Sequence, residues 1–146
     1  TGLNRMTAVK GRLVRKAGLS GALVIDDSYN ANPDSVRAAI DVLAATKGAK
    51  ILVFGDMGEI GEEGPQLHAE IGDTAKRAGI DALYAMGELS TNAVSQFGAG
   101  AFHFTDINAL IAARDMKGEG GRYAVAIPHA DLVRLLKDYG RYAKPD

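Results

Sequence analysis

Five short apolar runs alternate with helix-patterned segments along the chain, and this alternation constrains the fold more than any other feature of the sequence. The runs occupy residues 22–25, 51–54, 82–86, 101–104 and 123–127. Because polar and apolar residues do not alternate within them, the runs are typical of strands buried on both faces of a parallel sheet. The alternation predicts an α/β fold: a doubly wound, mostly parallel sheet of about five to six strands with helices on both faces.

Helix signals fill the segments between these runs. The first lies at Asn32-Pro33-Asp34, where Asn32 can cap a helix, Pro33 fits the first helical position and Asp34 favours the positive helix end. Apolar residues recur at helical spacing in five segments, which predicts helices that begin near residues 32, 65, 90, 105 and 129. Residues 11–16 either add an edge strand or serve as a lead-in. We expect residues 1–146 to form a single domain, with residues 1–20 as its lead-in segment.

Composition limits the classes of function. The chain has 146 residues, 47% of them hydrophobic, a formal net charge of -1 and no cysteine. The balanced charge gives no reason to expect nucleic-acid or membrane binding, and the lack of cysteine excludes disulfides and thiolate metal sites. The three histidines are far apart in sequence, so no metal site is expected. Since no motif supplies a catalytic nucleophile or a phosphate-binding lysine loop, we assign no catalytic residue.

Polar side chains crowd the turn after the first apolar run. Residues 26–33 combine two carboxylates, amide side chains, a hydroxyl and a phenol. Ligands of open α/β sheets bind beyond the carboxyl ends of strands, so this turn is a candidate binding site. Adjacent Asp26 and Asp27 point to opposite sides of an extended chain, so at most one faces a ligand, where it would suit a ribose hydroxyl pair. Turn and cap chemistry alone would explain the same residues about equally well.

The turn after the second apolar run, residues 55–64, is rich in glycine and in acidic residues. Acidic residues stand where a phosphate-binding loop carries lysine, so the turn does not predict a phosphate site. It would better suit an ammonium group, or Mg²⁺ bound through water. Alternatively, it is a mobile loop in which Glu62 and Glu63 merely favour the N-terminus of the following helix.

Three segments together resemble one protein family. Residues 9–13 read Val-Lys-Gly-Arg-Leu, residues 25–33 read Ile-Asp-Asp-Ser-Tyr-Asn-Ala-Asn-Pro, and residues 53–63 read Val-Phe-Gly-Asp-Met-Gly-Glu-Ile-Gly-Glu-Glu. This combination, with further agreement at His68 and at residues 78–81 and 86–90, is similar to the C-terminal, Rossmann-like domain of Mur ligases. The resemblance extends over residues 9–110.

The resemblance implies an ATP-dependent amide ligase of three domains, of which this chain would be the last. It is strongest with the branch that adds D-alanyl-D-alanine to a UDP-N-acetylmuramoyl-tripeptide for peptidoglycan synthesis in the bacterial cytoplasm. The implied partners are the enzyme's own N-terminal and central domains, ATP, D-alanyl-D-alanine and the UDP-linked tripeptide. In this family the ATPase lysine and the Mg²⁺ centre belong to the central domain, so the isolated chain is expected to be inactive. Its first residue, Thr1 rather than Met, fits a C-terminal fragment.

The resemblance also assigns residues to ligands. The residues that match the family's nucleotide-binding segment are Arg12, Asp27, Tyr29, Asn30 and Asn32. In the family the arginine reaches the nucleotide phosphates and the aspartate contacts the ribose, whereas the three neighbours would line the nucleotide or the acceptor amine. The incoming dipeptide would face the acidic turn at Asp56 and Glu59.

The chain departs from the family pattern near its end. Residues 126–132 read Ala-Ile-Pro-His-Ala-Asp-Leu, where the family usually has a Lys-Gly-Ser-Arg segment that helps to form the acceptor pocket. Two alternatives therefore stay open beside the leading interpretation. One is the C-terminal domain of a related Mur or folylpolyglutamate-type ligase with another acceptor. The other is a stand-alone, non-catalytic α/β module that binds a nucleotide or an amino acid.

Overall fold

A single six-stranded sheet organises the molecule. The computed structural model describes residues 12–17, 22–29, 31–106 and 122–126. The strands are β1 (Val14–Ala17), β2 (Leu23–Asp26), β3 (Lys50–Gly55), β4 (Ala82–Met86), β5 (Ala101–Phe104) and β6 (Arg122–Ala126). Their order in the sheet is β1-β2-β6-β3-β4-β5; β1 runs antiparallel to β2, and every other neighbouring pair is parallel. The predicted α/β class and the mostly parallel sheet are confirmed, and residues 14–17 form the edge strand that the sequence left undecided. Helices on both faces of the sheet stay a prediction.

Among the described residues, three helices connect β2, β3, β4 and β5 in turn. They are α1 (Pro33–Ala44), α2 (Gly64–Arg77) and α3 (Ser90–Phe97), and a short 3-10 helix, Gly61–Glu63, precedes α2. Each starts within a residue or so of its predicted position, because Asn32-Pro33 and Gly64-Pro65 fix the first turns of α1 and α2. The helices predicted to begin near residues 105 and 129 lie outside the described residues.

All three described helices pack on one face of the sheet, where α2 lies between α1 and α3. Alternate strand residues face them and form the core with their apolar stripes: Ile25, Leu52, Phe54, Leu83 and Ala85 from the sheet, and Val36, Ile40, Leu43, Ile71, Ala75, Ala93 and Phe97 from the helices. At Gly72 of α2, an added Cβ would lie 2.2 Å from the Ala93 carbonyl oxygen. Only glycine therefore lets α2 approach α3 this closely.

The second face of the sheet is buried as well. Val24, Ile51, Val53 and Tyr84 alternate with the core residues along their strands, and each is at most 6% exposed. Such strands, buried on both sides, are what the unalternating apolar runs predicted.

The parallel strands bring three turns to one edge of the sheet. β2, β3 and β4 run in the same direction, so the segments after Asp26, Gly55 and Met86 all leave from their carboxyl ends. β6 is inserted between β2 and β3, so α1 must cross over it to reach β3. Ligand sites of open α/β sheets occur at this edge.

Candidate functional site

The start of α1 fixes one wall of the candidate site. The Asn32 side-chain oxygen accepts a hydrogen bond from the Ser35 backbone N–H at 2.9 Å, and the Ser35 hydroxyl accepts from the Asn32 backbone N–H at 3.0 Å. This reciprocal capping box satisfies two amide groups at the helix start that would otherwise lack partners. The predicted capping role of Asn32 is confirmed.

Asp26 and Asp27 separate as the extended chain requires, and Asp26 turns into the protein. Its carboxylate pairs with the Lys16 ammonium group on β1 and accepts hydrogen bonds from the Ser28 backbone at 3.1 Å and from the Ser28 hydroxyl at 2.6 Å. Burial alone would raise the pKa of Asp26, but the hydrogen bonds from Lys16 and Ser28 outweigh it and hold the pKa below its ordinary value. Asp26 therefore joins β1 to β2 and shapes the turn.

Asp27 contacts the backbone just before β1 and not the Lys16 side chain that pairs with Asp26. One of its oxygens accepts a hydrogen bond from the Leu13 backbone N–H at 3.1 Å, and Leu13 itself has a left-handed φ of 48°. Burial and the neighbouring Asp26 charge raise the pKa of Asp27; the Leu13 hydrogen bond and the Arg12 charge offset them only in part. A carboxylate in this state gains from a further hydrogen-bond donor, which a ligand hydroxyl can supply.

These residues line an open cleft of about 240 Å³ at the carboxyl end of β2. Its wall consists of Arg12, Leu13, Asp27, Tyr29, Asn32, Ser35 and Ala38. The Arg12 guanidinium carbon lies 4.7 Å from the centroid of the Tyr29 ring, and the Tyr29 residue is 61% exposed. The cleft thus combines a cation, a carboxylate and an accessible aromatic ring.

Four of the five predicted nucleotide contacts meet at this cleft: Arg12, Asp27, Tyr29 and Asn32. The fifth, Asn30, lies outside the described residues. Sequence reasoning missed Leu13, Ser35 and Ala38. Ser35 and Ala38 follow Asn32 at three-residue spacing, so the face of α1 below its cap contained the signal for both.

The acidic turn after β3 is built differently, because its aspartate is used by another helix. The Asp56 carboxylate accepts hydrogen bonds from the backbone N–H groups of Leu89 and Ser90, at 3.0 and 2.7 Å, and from the Ser90 hydroxyl at 2.6 Å. Leu89, the cap residue of α3, makes no side-chain capping bond, so Asp56 caps α3 from a distant part of the sequence. Gly87 adjoins this carboxylate: an added Cβ there would lie 2.3 Å from the Asp56 Cγ.

The other predicted acceptor contact, Glu59, is exposed and has a left-handed φ of 54°. Neither Asp56 nor Glu59 lines the cleft beside β2. The structure thus assigns Asp56 a helix-capping role that the sequence did not suggest, and a role of either residue in binding the dipeptide stays a prediction.

Two further findings concern the described residues alone. Within residues 12–17, 22–29, 31–106 and 122–126, no three acidic or histidine side chains cluster in a way that could hold a metal ion. In that same part of the chain, no helix combines the length and the apolar character needed to cross a bilayer.

Comparisons with known proteins agree with this architecture. Residues 11–130 match the family model described as Mur ligase, glutamate ligase domain. The UDP-N-acetylmuramoyl-tripeptide–D-alanyl-D-alanine ligase of Escherichia coli K12 is 44% identical over 110 residues, which are 75% of this chain and 24% of that protein. The chain therefore spans about a quarter of the length of that relative.

Solved structures show the same fold. A crystal structure of MurF from Acinetobacter baumannii superposes with a TM-score of 0.78 at 29% identity, over 94% of this chain and 31% of that one. MurF from Thermotoga maritima, solved in complex with ADP, superposes with a TM-score of 0.76 at 24% identity, over 93% of this chain and 32% of that one. With its family match and its six-stranded architecture, this chain belongs to the Mur ligases and comprises their glutamate ligase domain.

Proposed function

We propose that the chain is the C-terminal domain of an ATP-dependent ligase that joins D-alanyl-D-alanine to a UDP-N-acetylmuramoyl-tripeptide. The observation that carries the proposal is the cleft beside β2, which combines Arg12, Asp27 and Tyr29 in a domain whose 44%-identical relative bears that activity in its name. In this proposal residues 1–146 form one domain, and the sugar-peptide and ATPase domains belong to other parts of the full-length enzyme. The enzyme would work in the bacterial cytoplasm.

The cleft suits an adenine nucleotide. Asp27 has one oxygen bonded to Leu13 and can accept a hydrogen bond from a ribose hydroxyl with the other. The Arg12 guanidinium can leave the Tyr29 ring to contact phosphate oxygens, for which its planar fork is well shaped. Tyr29 and Asn32 line the same cleft, and Asn30 lies between them in sequence, so we include all three among the nucleotide contacts.

In the reaction that this proposal entails, the tripeptide carboxylate attacks the γ-phosphorus of ATP, and ADP leaves. The dipeptide amine then attacks the acyl phosphate carbon, loses a proton and expels phosphate, which forms the amide bond. The domain described here would close over the nucleotide, exclude water and so protect the acyl phosphate from hydrolysis. Mg²⁺, which the family resemblance places in the central domain, would neutralise phosphate charge there.

The acceptor side of the proposal rests on the acidic turn. The turn exposes Glu59, Glu62 and Glu63, and their negative charge favours the ammonium group of an incoming amino acid or peptide. We propose Glu59 as a direct contact and Asp56 as a residue that supports the turn. The residues at 126–132, which differ from the family pattern, would tune which acceptor is used.

The test compares two aspartates in the full-length enzyme. Asp27→Ala should raise the KM for ATP roughly tenfold or more, as loss of a hydrogen bond to a charged group does. Asp41→Ala is the matched control, because Asp41 is exposed in the last turns of α1, away from the cleft at its start. Equal ATP kinetics for both variants would remove Asp27 from the nucleotide site.

A second measurement tests whether the reaction needs the other domains of the full-length enzyme. The 146-residue chain alone should release no phosphate from ATP in the presence of Mg²⁺, the tripeptide precursor and D-alanyl-D-alanine. The full-length enzyme should release phosphate only when the dipeptide is present. Turnover by the isolated chain would mean that the reaction centre lies within it.

A further inference from the structure

His68 on α2 is fully buried and bridges the two ends of the acidic turn. Its Nε2 atom lies 3.0 Å from the Met57 backbone nitrogen, and its Nδ1 atom lies 2.7 Å from the Gly64 carbonyl oxygen. Met57 lies near the start of this turn, which covers residues 55–64, and Gly64 is its last residue. One imidazole ring therefore holds both ends of an eight-residue segment, residues 57–64, which we call the acidic loop.

The two contacts fix the chemical form of the ring. A carbonyl oxygen can only accept, so Nδ1 carries the proton that binds Gly64. The Met57 N–H can only donate, so Nε2 is the acceptor and the imidazole is neutral. Phe54 packs on the ring at a centroid distance of 5.6 Å, and the Asp56 carboxylate lies 3.9 Å from Nε2. Two hydrogen bonds and the packing of Phe54 therefore fix the orientation of the imidazole ring.

Asp56 is the residue just before the acidic loop, and its side chain is held by hydrogen bonds. Its oxygens accept hydrogen bonds from the start of α3, while the Met57 N–H donates to His68 on α2. The start of the loop is therefore bonded to both helices. The middle of the loop contrasts with these ends: Gly58 and Glu59 are exposed, and Glu59 has the left-handed φ of 54° that non-glycine residues rarely adopt. Residues held in unusual backbone conformations cluster at binding and catalytic sites, so Glu59, which lies between two hydrogen-bonded ends, is a candidate binding group.

We propose that His68 is a positioning residue for capture of the acceptor amine: its neutral imidazole clamps the acidic loop so that Glu59 is presented to the ammonium group of the incoming dipeptide. The inference rests on the proposed function and deepens it. His68 touches no substrate in this scheme, and its effect passes through the backbone of Met57 to the acidic loop. The clamp should therefore govern affinity for the amine and leave use of ATP intact.

The two amide substitutions of His68 separate its two contacts. The side-chain amide of Gln reaches the position of Nε2 and can accept from the Met57 N–H, whereas that of Asn reaches only the position of Nδ1 and can bond only to Gly64. In the full-length enzyme we expect His68→Asn to raise the KM for D-alanyl-D-alanine about tenfold, and His68→Gln to restore it to within about twofold of the wild type. The KM for ATP should change in neither variant. Melting temperatures, measured alongside, show whether stability follows the same order.

A dipeptide KM that stays at the wild-type value in His68→Asn, while the melting temperature falls, would overturn the positioning role and leave His68 a packing residue. If neither variant folds, hydrogen exchange of the wild-type enzyme decides: the Met57 amide should be as protected as the amides of α2, and fast exchange would overturn the clamp. A wild-type enzyme without dipeptide-dependent phosphate release would instead overturn the proposed function, so the two failures are distinguishable.

Discussion

The turns after β2 and β3 each carry an aspartate near the strand end, but the structure uses Asp27 and Asp56 differently. Both turns place a carboxylate at the carboxyl end of a parallel strand, and both were predicted to contact a ligand. After β2, Asp27 accepts one backbone hydrogen bond and borders an open cleft. After β3, Asp56 accepts three hydrogen bonds from α3. The Asp27 carboxylate therefore borders a space that a ligand can enter, whereas hydrogen bonds join the Asp56 carboxylate to the start of α3. A role of Asp56 in binding stays a prediction.

The largest effect that this comparison predicts falls on the glycine beside Asp56. Gly87 has a φ of 116°, and a Cβ there would lie 2.3 Å from the Asp56 Cγ. Gly87→Ala combines backbone strain with displacement of the carboxylate, so we expect it to lower the free energy of unfolding by about 3 kcal/mol. Gly58→Ala is the control, because a Cβ at Gly58 meets nothing within 4 Å. Urea denaturation of the chain measures both; similar losses would show that Asp56 and Gly87 do not pack as described.

Substitution of Asp56 should mainly lower the stability of the domain, whereas substitution of Asp27 should mainly weaken ATP binding. Asp56→Ala leaves the first amides of α3 without their cap, and we expect a loss of about 2 kcal/mol in the free energy of unfolding. Asp27→Ala removes a single hydrogen bond and should cost less than about half of that, yet only this substitution should raise the KM for ATP in the full-length enzyme. A larger loss of stability in Asp27→Ala than in Asp56→Ala would contradict the structural role assigned to Asp56.

Adjacent Asp26 gives a smaller effect that depends on pH. The folded state lowers the pKa of Asp26 from its ordinary value of 3.8, so the stability it contributes is present above that value and is lost as the pH falls through the folded-state pKa. Asp26→Asn removes the ion pair between Asp26 and Lys16, and we expect a loss of about 1.5 kcal/mol in the free energy of unfolding at pH 7 that shrinks at pH 3. Denaturation curves at the two pH values measure this, and a loss independent of pH would contradict the ion pair.

Local signals predicted much of this fold, because they depend on residues close in sequence. Asn32-Pro33 fixed the start of α1, and the apolar runs located the strands to within about a residue. The place of β6 between β2 and β3 had no such signal, since strand order follows from long-range packing. The same holds for Asp56, whose partner Ser90 is 34 residues away, and for Leu13, whose amide meets Asp27 across a hairpin. In the candidate site, the sequence identified four residues of the cleft wall, but not the hydrogen bonds from Leu13 and Ser90 to the two aspartates.

The smallest expected effect is that of Asp27→Asn, which should raise the free energy of unfolding where the other substitutions lower it. The folded state raises the pKa of Asp27, so the stability linked to this group is present below the ordinary value of 3.8 and is lost as the pH rises through the folded-state pKa. At pH 7 the ionised carboxylate is therefore a cost to folding, and Asp27→Asn, whose amide oxygen can still accept from Leu13, should raise the free energy of unfolding by less than about 1 kcal/mol. The gain should vanish near pH 3, and ATP affinity of the full-length enzyme should fall. A loss of stability at pH 7 would instead mean that Asp27, like Asp56, is held by the fold, and the contrast between the two turns would disappear.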